Sequence, residues 1–120
     1  RDSAHPLRGS IEELAAMGEA SKAEELLWQT LRGGLRPPEA SFDAVICAFD
    51  REGDAAKAED WLCRALDGAI VPSEASFSAV TLAACRRGAT QRAEDTLLQM
   101  MRLRVRPSKE IFDAVIRMFG

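Results

Sequence analysis

The chain has 120 residues, the size expected of one domain. With 47% hydrophobic and 29% charged residues it is not an intrinsically disordered chain, which lacks the apolar surface to offset the entropy of ordering. No apolar run approaches the ~18 residues of a membrane-crossing helix, and a net charge of −3 argues against a chain that coats nucleic acid through bulk charge.

Seven helices are expected, in chain order. Ser10-Ile11-Glu12-Glu13 reads as a capping box opening an incomplete helix over 10–17. Ser21 with Glu24 reads as a second box, opening a helix over 21–33 with the apolar stripe Ala23, Leu26, Leu27 and Leu31. The third helix spans 39–51, where Phe42, Val45, Ile46 and Phe49 fall at i, i+3, i+4 and i+7. Asp54 can cap the fourth, 54–67, which carries Ala58, Trp61, Leu62, Ala65 and Leu66. Ser73 can cap the fifth, 74–87, with Phe77, Val80 and Ala84 on its stripe. Thr90 can cap the sixth, 90–103, with Ala93, Leu97, Met100 and Met101 as core. Ser108 can cap the seventh, 109–119, with Phe112, Val115, Ile116 and Phe119. Gly18, Gly53 and Gly88 stand where helices stop in left-handed geometry. Pro37, Pro72 and Pro107 are expected to stop the second helix of each pair and turn the chain. Period-two runs of β-branched residues are absent, so no strands are expected.

These elements repeat every 35 residues. Gly18, Gly53 and Gly88 share one register, as do Ala23, Ala58 and Ala93; Leu27, Leu62 and Leu97; Pro37, Pro72 and Pro107; and Phe42, Phe77 and Phe112. Aligning 18–52 with 53–87 gives 17 identities in 35 positions, and 53–85 with 88–120 gives 10 in 33. One amphipathic pair cannot bury its stripe alone, whereas stacked pairs share a continuous core. The expected architecture is therefore a single all-α solenoid segment over 1–120. It divides into a partial repeat, 1–17, and three periods, 18–52, 53–87 and 88–120, the last incomplete. The chain opens at Arg1 rather than at a methionine, as a processed product or an interior piece would, and no signal-peptide pattern leads it. The apolar stripe of the last helix calls for a continuing array or a partner.

Residues that could carry chemistry are sparse. Cys47, Cys63 and Cys85 form no CxxC pair, so a structural zinc site is not expected; free thiols packed as small apolar groups are. The single histidine, His5, lies in the N-terminal segment, away from any thiol it could activate. Trp28 and Trp61 read as packing residues rather than base-stacking platforms. Glu24, Glu59 and Glu94 recur near the start of the second helix, where the helix dipole favours them without a metal. Gly33-Gly34 is a helix stop, since no Gly-Lys-Ser/Thr follows. No enzyme, cofactor, metal or small-molecule ligand is expected.

The unit Ala75-Ser76-Phe77-Ser78-Ala79-Val80, Cys85-Arg86-Arg87-Gly88, Ala93-Glu94-Asp95, Leu97 and Val105-Arg106-Pro107-Ser108 resembles a pentatricopeptide repeat. So does Ala40-Ser41-Phe42-Asp43-Ala44-Val45 through Val71-Pro72-Ser73, and the resemblance covers nearly all of 18–120. It implies a right-handed α-solenoid whose first helices grip single-stranded RNA, about one nucleotide per repeat. It also implies a role in mitochondrial or chloroplast transcripts. The base-choosing position after the aromatic residue maps to Asp43, Ser78 and Asp113, and the one after the closing proline to Pro38, Ser73 and Ser108. A base-sandwiching position maps to Ala40, Ala75 and Glu110, and a phosphate-contacting position to Arg51 and Arg86. The family's favoured pairs combine Asn, Thr or Ser with Asp or Asn; here the complete units offer Asp43 with Ser73 and Ser78 with Ser108. Such repeats also serve as protein–protein scaffolds or structural subunits of large organellar assemblies. Acidity and few repeats fit that alternative.

Charge is unevenly placed. Residues 1–85 carry 8 basic and 15 acidic side chains, a net of −7, whereas 86–120 carry 8 basic and 4 acidic, a net of +4. Arg87, Arg102, Arg104, Arg106 and Lys109, with Arg86, Arg92 and Arg117 near in sequence, make either a basic patch for phosphate or a solvated rim.

Overall fold

The computed structural model describes residues 7–119, with side chains for 11–118. His5, Gly120 and the side chains of Ser10 and Phe119 lie outside the described residues. Seven α-helices follow one another: α1 Leu7–Ala16, α2 Ala20–Arg32, α3 Glu39–Arg51, α4 Ala55–Asp67, α5 Glu74–Arg86, α6 Thr90–Arg102 and α7 Lys109–Phe119. Strands are absent among the described residues. The all-α solenoid therefore holds, with an elongated body of 55 × 26 × 21 Å.

The helices stack in two layers. The odd-numbered helices pack α1 on α3, α3 on α5 and α5 on α7, and each even-numbered helix packs against the odd-numbered helices flanking it. The backbones of α2, α4 and α6 stay apart from one another. Between the layers runs one apolar core, with Leu27, Phe42, Ile46, Trp61, Phe77 and Met100 fully or almost fully buried. Ala23, Ala58 and Ala93 are fully buried in the same register. A larger side chain there would overpack the contact. The Trp61 ring lies 5.2 Å from that of Trp28 and 6.1 Å from that of Phe42, centroid to centroid. The Arg64 guanidinium sits 4.5 Å above Trp28, so both indoles are packing residues.

Helix ends refine several expectations. Gly18, Gly53 and Gly88 adopt φ of 83°, 83° and 72° and close α1, α3 and α5 in left-handed turns. The amides of Glu19, Asp54 and Ala89 then donate to the carbonyls of Leu14, Phe49 and Ala84, each at 2.9 Å. The even-numbered helices end the same way, at Gly34 (φ 79°), Ala69 (φ 62°) and Arg104 (φ 65°). Gly34 stops α2 as the Gly33-Gly34 pair predicts, but Ala69 and Arg104 stop α4 and α6 in place of the prolines expected to; each proline lies three residues later, in the turn. Asp54 caps α4, accepting from the Lys57 amide at 3.2 Å, and Ser108 caps α7, accepting from the Ile111 amide at 3.3 Å. Ser73 stands at the cap of α5 without a side-chain cap bond. Ser10 lies inside α1, Ser21 inside α2, and Thr90 is the first residue of α6, so none of the three is a cap.

Glu24 and Glu59 do more than complement a dipole. The Lys57 ammonium donates to both Glu24 oxygens at 2.9 and 3.0 Å, and the Trp61 indole N–H donates to Glu24 Oε2 at 2.9 Å. One period later, Glu59 pairs with Arg92, in the register of Lys57. These ties bridge the gap between consecutive even-numbered helices. At the C-terminal end the burial pattern changes. Ile111 and Val115 are buried, but Phe112 is 39% and Ile116 64% exposed, and Leu98 and Met101 on α6 are exposed too. Met101 was expected in the core; only Met100 enters it. Phe42 and Phe77 are buried because α4 and α6 cover them; among the described residues no helix covers Phe112.

Candidate nucleic-acid interface

The odd-numbered layer presents one outer face on which equivalent residues recur along the solenoid. Two grooves mark it. One, of about 370 Å³, is lined by Glu12, Ala40, Asp43, Arg51, Ser73 and Ala75, among others. The second, of about 360 Å³, lies between α5 and α7 and is lined by Leu82, Cys85, Arg86, Ala114, Arg117 and Met118.

Asp43 and Ser73 are brought together although 30 residues separate them. The Ser73 amide donates to Asp43 Oδ1 at 2.8 Å, and the Ser76 hydroxyl donates to the same oxygen at 2.7 Å. Asp43 on α3 thus satisfies the first turn of α5, supplying from a neighbouring helix the acceptor an N-terminus lacks. The other sequence-named residues are placed differently. The Ser78 hydroxyl donates to Glu74 at 3.0 Å, and Ser108 is occupied in capping α7. Asp113 is exposed on α7. Arg51 Nη2 donates to the Ala15 carbonyl at 3.0 Å, closing the C-terminal end of α1. Arg86, one period later, is 68% exposed, with Nη2 at 3.8 Å from Asp50 Oδ1.

The basic residues of the C-terminal third form two groups. Arg87 lies just before α6, at 3.9 Å from Glu59. Arg102, Arg104, Arg106 and Lys109 are exposed around the turn that follows α6. The 13 residues of α6 separate the groups by ~20 Å. A cleft of about 560 Å³ lies on the even-numbered layer between α4 and α6, around Glu59, Cys63, Arg87 and Arg92. Its charges are already paired through Glu59, which also raises the Arg92 pKa by hydrogen bond and charge.

The thiols are poor nucleophiles. Burial pushes Cys47, Cys63 and Cys85 above the ordinary cysteine value, and at Cys63 the Glu59, Asp67 and Asp60 carboxylates push further. Among the described residues no group of three His, Cys, Asp or Glu side chains could hold a metal ion. No helix there is long and apolar enough to cross a membrane. Sequence reasoning missed Ser76 and the pairing of Arg117 with Arg86 in one groove. The register could have shown the second, because Arg117 stands one period after Leu82.

No family model and no curated protein sequence matches the chain. Solved structures do. The PPR domain of Arabidopsis thaliana protein-only RNase P 1, solved in complex with tRNA, superposes with a TM-score of 0.82 at 20% identity, over 93% of this chain and 58% of that one. The pentatricopeptide repeat protein PPR10 from maize superposes at 0.78 with 17% identity, over 99% of this chain and 18% of that one. PPR10 in complex with an 18-nt psaJ RNA element superposes at 0.68 with 20% identity, over 95% of this chain and 17% of that one. The chain thus spans little more than half of one of these structures and less than a fifth of the other two. Its two-layered stack of 35-residue helix pairs is the fold of a pentatricopeptide-repeat solenoid.

Proposed function

We propose that the chain is a non-catalytic repeat module that binds single-stranded RNA along the outer face of α1, α3, α5 and α7, in organellar RNA metabolism or translation. The observation that supports this most directly is the bond between Asp43 and Ser73. The resemblance assigns these two positions, one on α3 and one just before α5, to a single base. The fold holds both at one groove between Ala40 and Ala75, whose small side chains leave room for a base between successive first helices. A nucleobase there would meet the acceptor capacity of Asp43 and the donor and acceptor of the Ser73 hydroxyl. Ser78 with Ser108, and Asp113, would serve the following positions, and Arg86 would reach phosphate. Arg51, engaged with the α1 carboxyl-terminal end, contributes less. Two of the structures sharing this fold were solved with RNA bound. In this reading the module works in a mitochondrion or chloroplast.

A second reading has its own support. The exposed apolar residues Leu98 and Met101 on α6 and Phe112 and Ile116 on α7 fit a protein partner or further repeats of a longer array. Titrating isotopically labelled protein with oligouridylate while following amide shifts separates the two. Shifts at Ala40, Asp43, Ser73, Ser78 and Arg86 support RNA binding. Their absence at millimolar RNA overturns it.

A further inference from the structure

The two grooves on the odd-numbered face differ in charge: Glu12, Asp43 and Arg51 line the first, Arg86 and Arg117 the second. Glu12, Cys47, Leu82 and Arg117 share a register, 35 residues apart, as do Arg51 and Arg86. In the N-terminal groove the arginine of that second register, Arg51, lines the wall with Glu12 and spends its Nη2 on the Ala15 carbonyl at 3.0 Å. In the α5–α7 groove its counterpart, Arg86, faces solvent over most of its surface and lines the wall with Arg117. Two periods on, Glu12, Ala16 and Cys47 of the first groove become Leu82, Arg86 and Arg117 of the second, which thereby loses a carboxylate and gains two guanidiniums.

We propose that Arg86 and Arg117 form a two-arginine phosphate clamp in the α5–α7 groove, which anchors the backbone of a bound single-stranded RNA at the C-terminal end of the face. The proposal rests on the RNA-binding reading above. Guanidinium forks suit phosphate oxygens, because each offers parallel N–H donors at fixed spacing. Arg117 lies one helical turn short of the register position of Arg86, so the two side chains approach one groove from adjacent helices at different heights. In the clamp the two guanidiniums share one phosphodiester. The apolar floor of Leu82, Ala114 and Met118 keeps competing acceptors out of the groove. Among the described residues Arg86 forms an ion pair with Asp50 at a loose 3.8 Å, which a phosphate can displace. The N-terminal groove has Cys47 in the place of Arg117 and Ala16 in the place of Arg86, so it offers a phosphate no such pair of guanidiniums. The RNA would therefore be held from the C-terminal end, in keeping with the +4 charge of residues 86–120.

The test measures oligouridylate binding by fluorescence anisotropy at a series of salt concentrations. Wild type is compared with Arg117→Gln, Arg86→Gln, the double variant and Arg32→Gln, a control that removes an exposed arginine from α2. Circular dichroism melts confirm that each variant folds. Each clamp variant is expected to weaken binding and to flatten the log–log salt slope by ~0.7, the value for one lost single-strand phosphate contact. The double variant loses little more than either single one, because both arginines hold the same phosphate. Arg32→Gln keeps the wild-type slope. If wild type binds but Arg117→Gln keeps its slope, the clamp is overturned and the RNA-binding reading stands. If wild type shows no binding at low salt, the RNA-binding reading falls and the clamp falls with it.

Discussion

Replacing Asp43 with alanine tests whether the α3 carboxylate holds the start of α5. The change deletes the acceptor of two bonds, from the Ser73 amide at 2.8 Å and the Ser76 hydroxyl at 2.7 Å. The two losses differ. Ser73 is partly exposed, so water can replace the carboxylate at its amide. Ser76 is fully buried, so its hydroxyl is left with only the weak Cys47 thiol as a partner. An orphaned buried donor costs about 1–3 kcal/mol, and a bond to a charged acceptor contributes about 1.5–3 kcal/mol when it cannot be replaced. Discounting the Ser73 bond for water, Asp43→Ala should cost about 2–4 kcal/mol. Urea unfolding followed by circular dichroism gives the value. Asp43→Ala/Ser76→Ala should cost at least ~1 kcal/mol less than the sum of the single changes, because the second deletion removes the poorly paired hydroxyl that the first leaves. A cost below about 0.5 kcal/mol for Asp43→Ala, or strict additivity, refutes the reasoning.

Three further substitutions probe the repeat. Phe77→Ala, at a fully buried position, should cost about 3–5 kcal/mol, whereas Phe112→Ala, in the same register but exposed, should cost under ~1.5 kcal/mol; equal costs in urea melts would contradict the burial pattern. Ala69→Gly should raise stability by about 0.5 kcal/mol, since Ala69 holds the left-handed conformation that glycine adopts without strain; a lower thermal midpoint would refute this. Ser41 buries a hydroxyl with no partner among the described residues, so Ser41→Ala should leave stability unchanged or raise it by up to ~1 kcal/mol, while Ser76→Ala lowers it; a loss for Ser41→Ala in the same melts would expose a missing partner.

The sequence announced the helices because every level of pattern agreed. The 3.6-residue stripes, the stop glycines and the 35-residue period all marked the same boundaries, and the observed ends lie within a few residues of those expected. The period also carried a false inference at the ends of the even-numbered helices. Proline recurs visibly at 37, 72 and 107, but the left-handed stop is Gly34, Ala69 or Arg104, three different residue types in one register. A conformation shared by unlike residues leaves no repeat to read. Polar ties between repeats were hidden for a related reason. Glu24 meets Lys57 and Trp61, 33 and 37 residues on, and Arg51 meets Ala15, 36 back. Alignment at 35 shows which residues are equivalent, not which side chains reach across to the next repeat. The candidate site was legible as a set of positions. Where each side chain spends its hydrogen bonds, Asp43 on α5 and Arg51 on α1, needed the packing of neighbouring helices.

The central claim is that this solenoid face binds single-stranded RNA. Anisotropy titration of wild-type protein with pooled single-stranded RNA at 50 and 200 mM salt tests it directly. The account predicts a dissociation constant tighter than ~100 µM at the lower salt, weakening at the higher one as phosphate contacts are screened. Affinity weaker than ~100 µM at low salt, below even ordinary non-specific binding, would contradict it and favour a protein partner for the exposed α6–α7 surface.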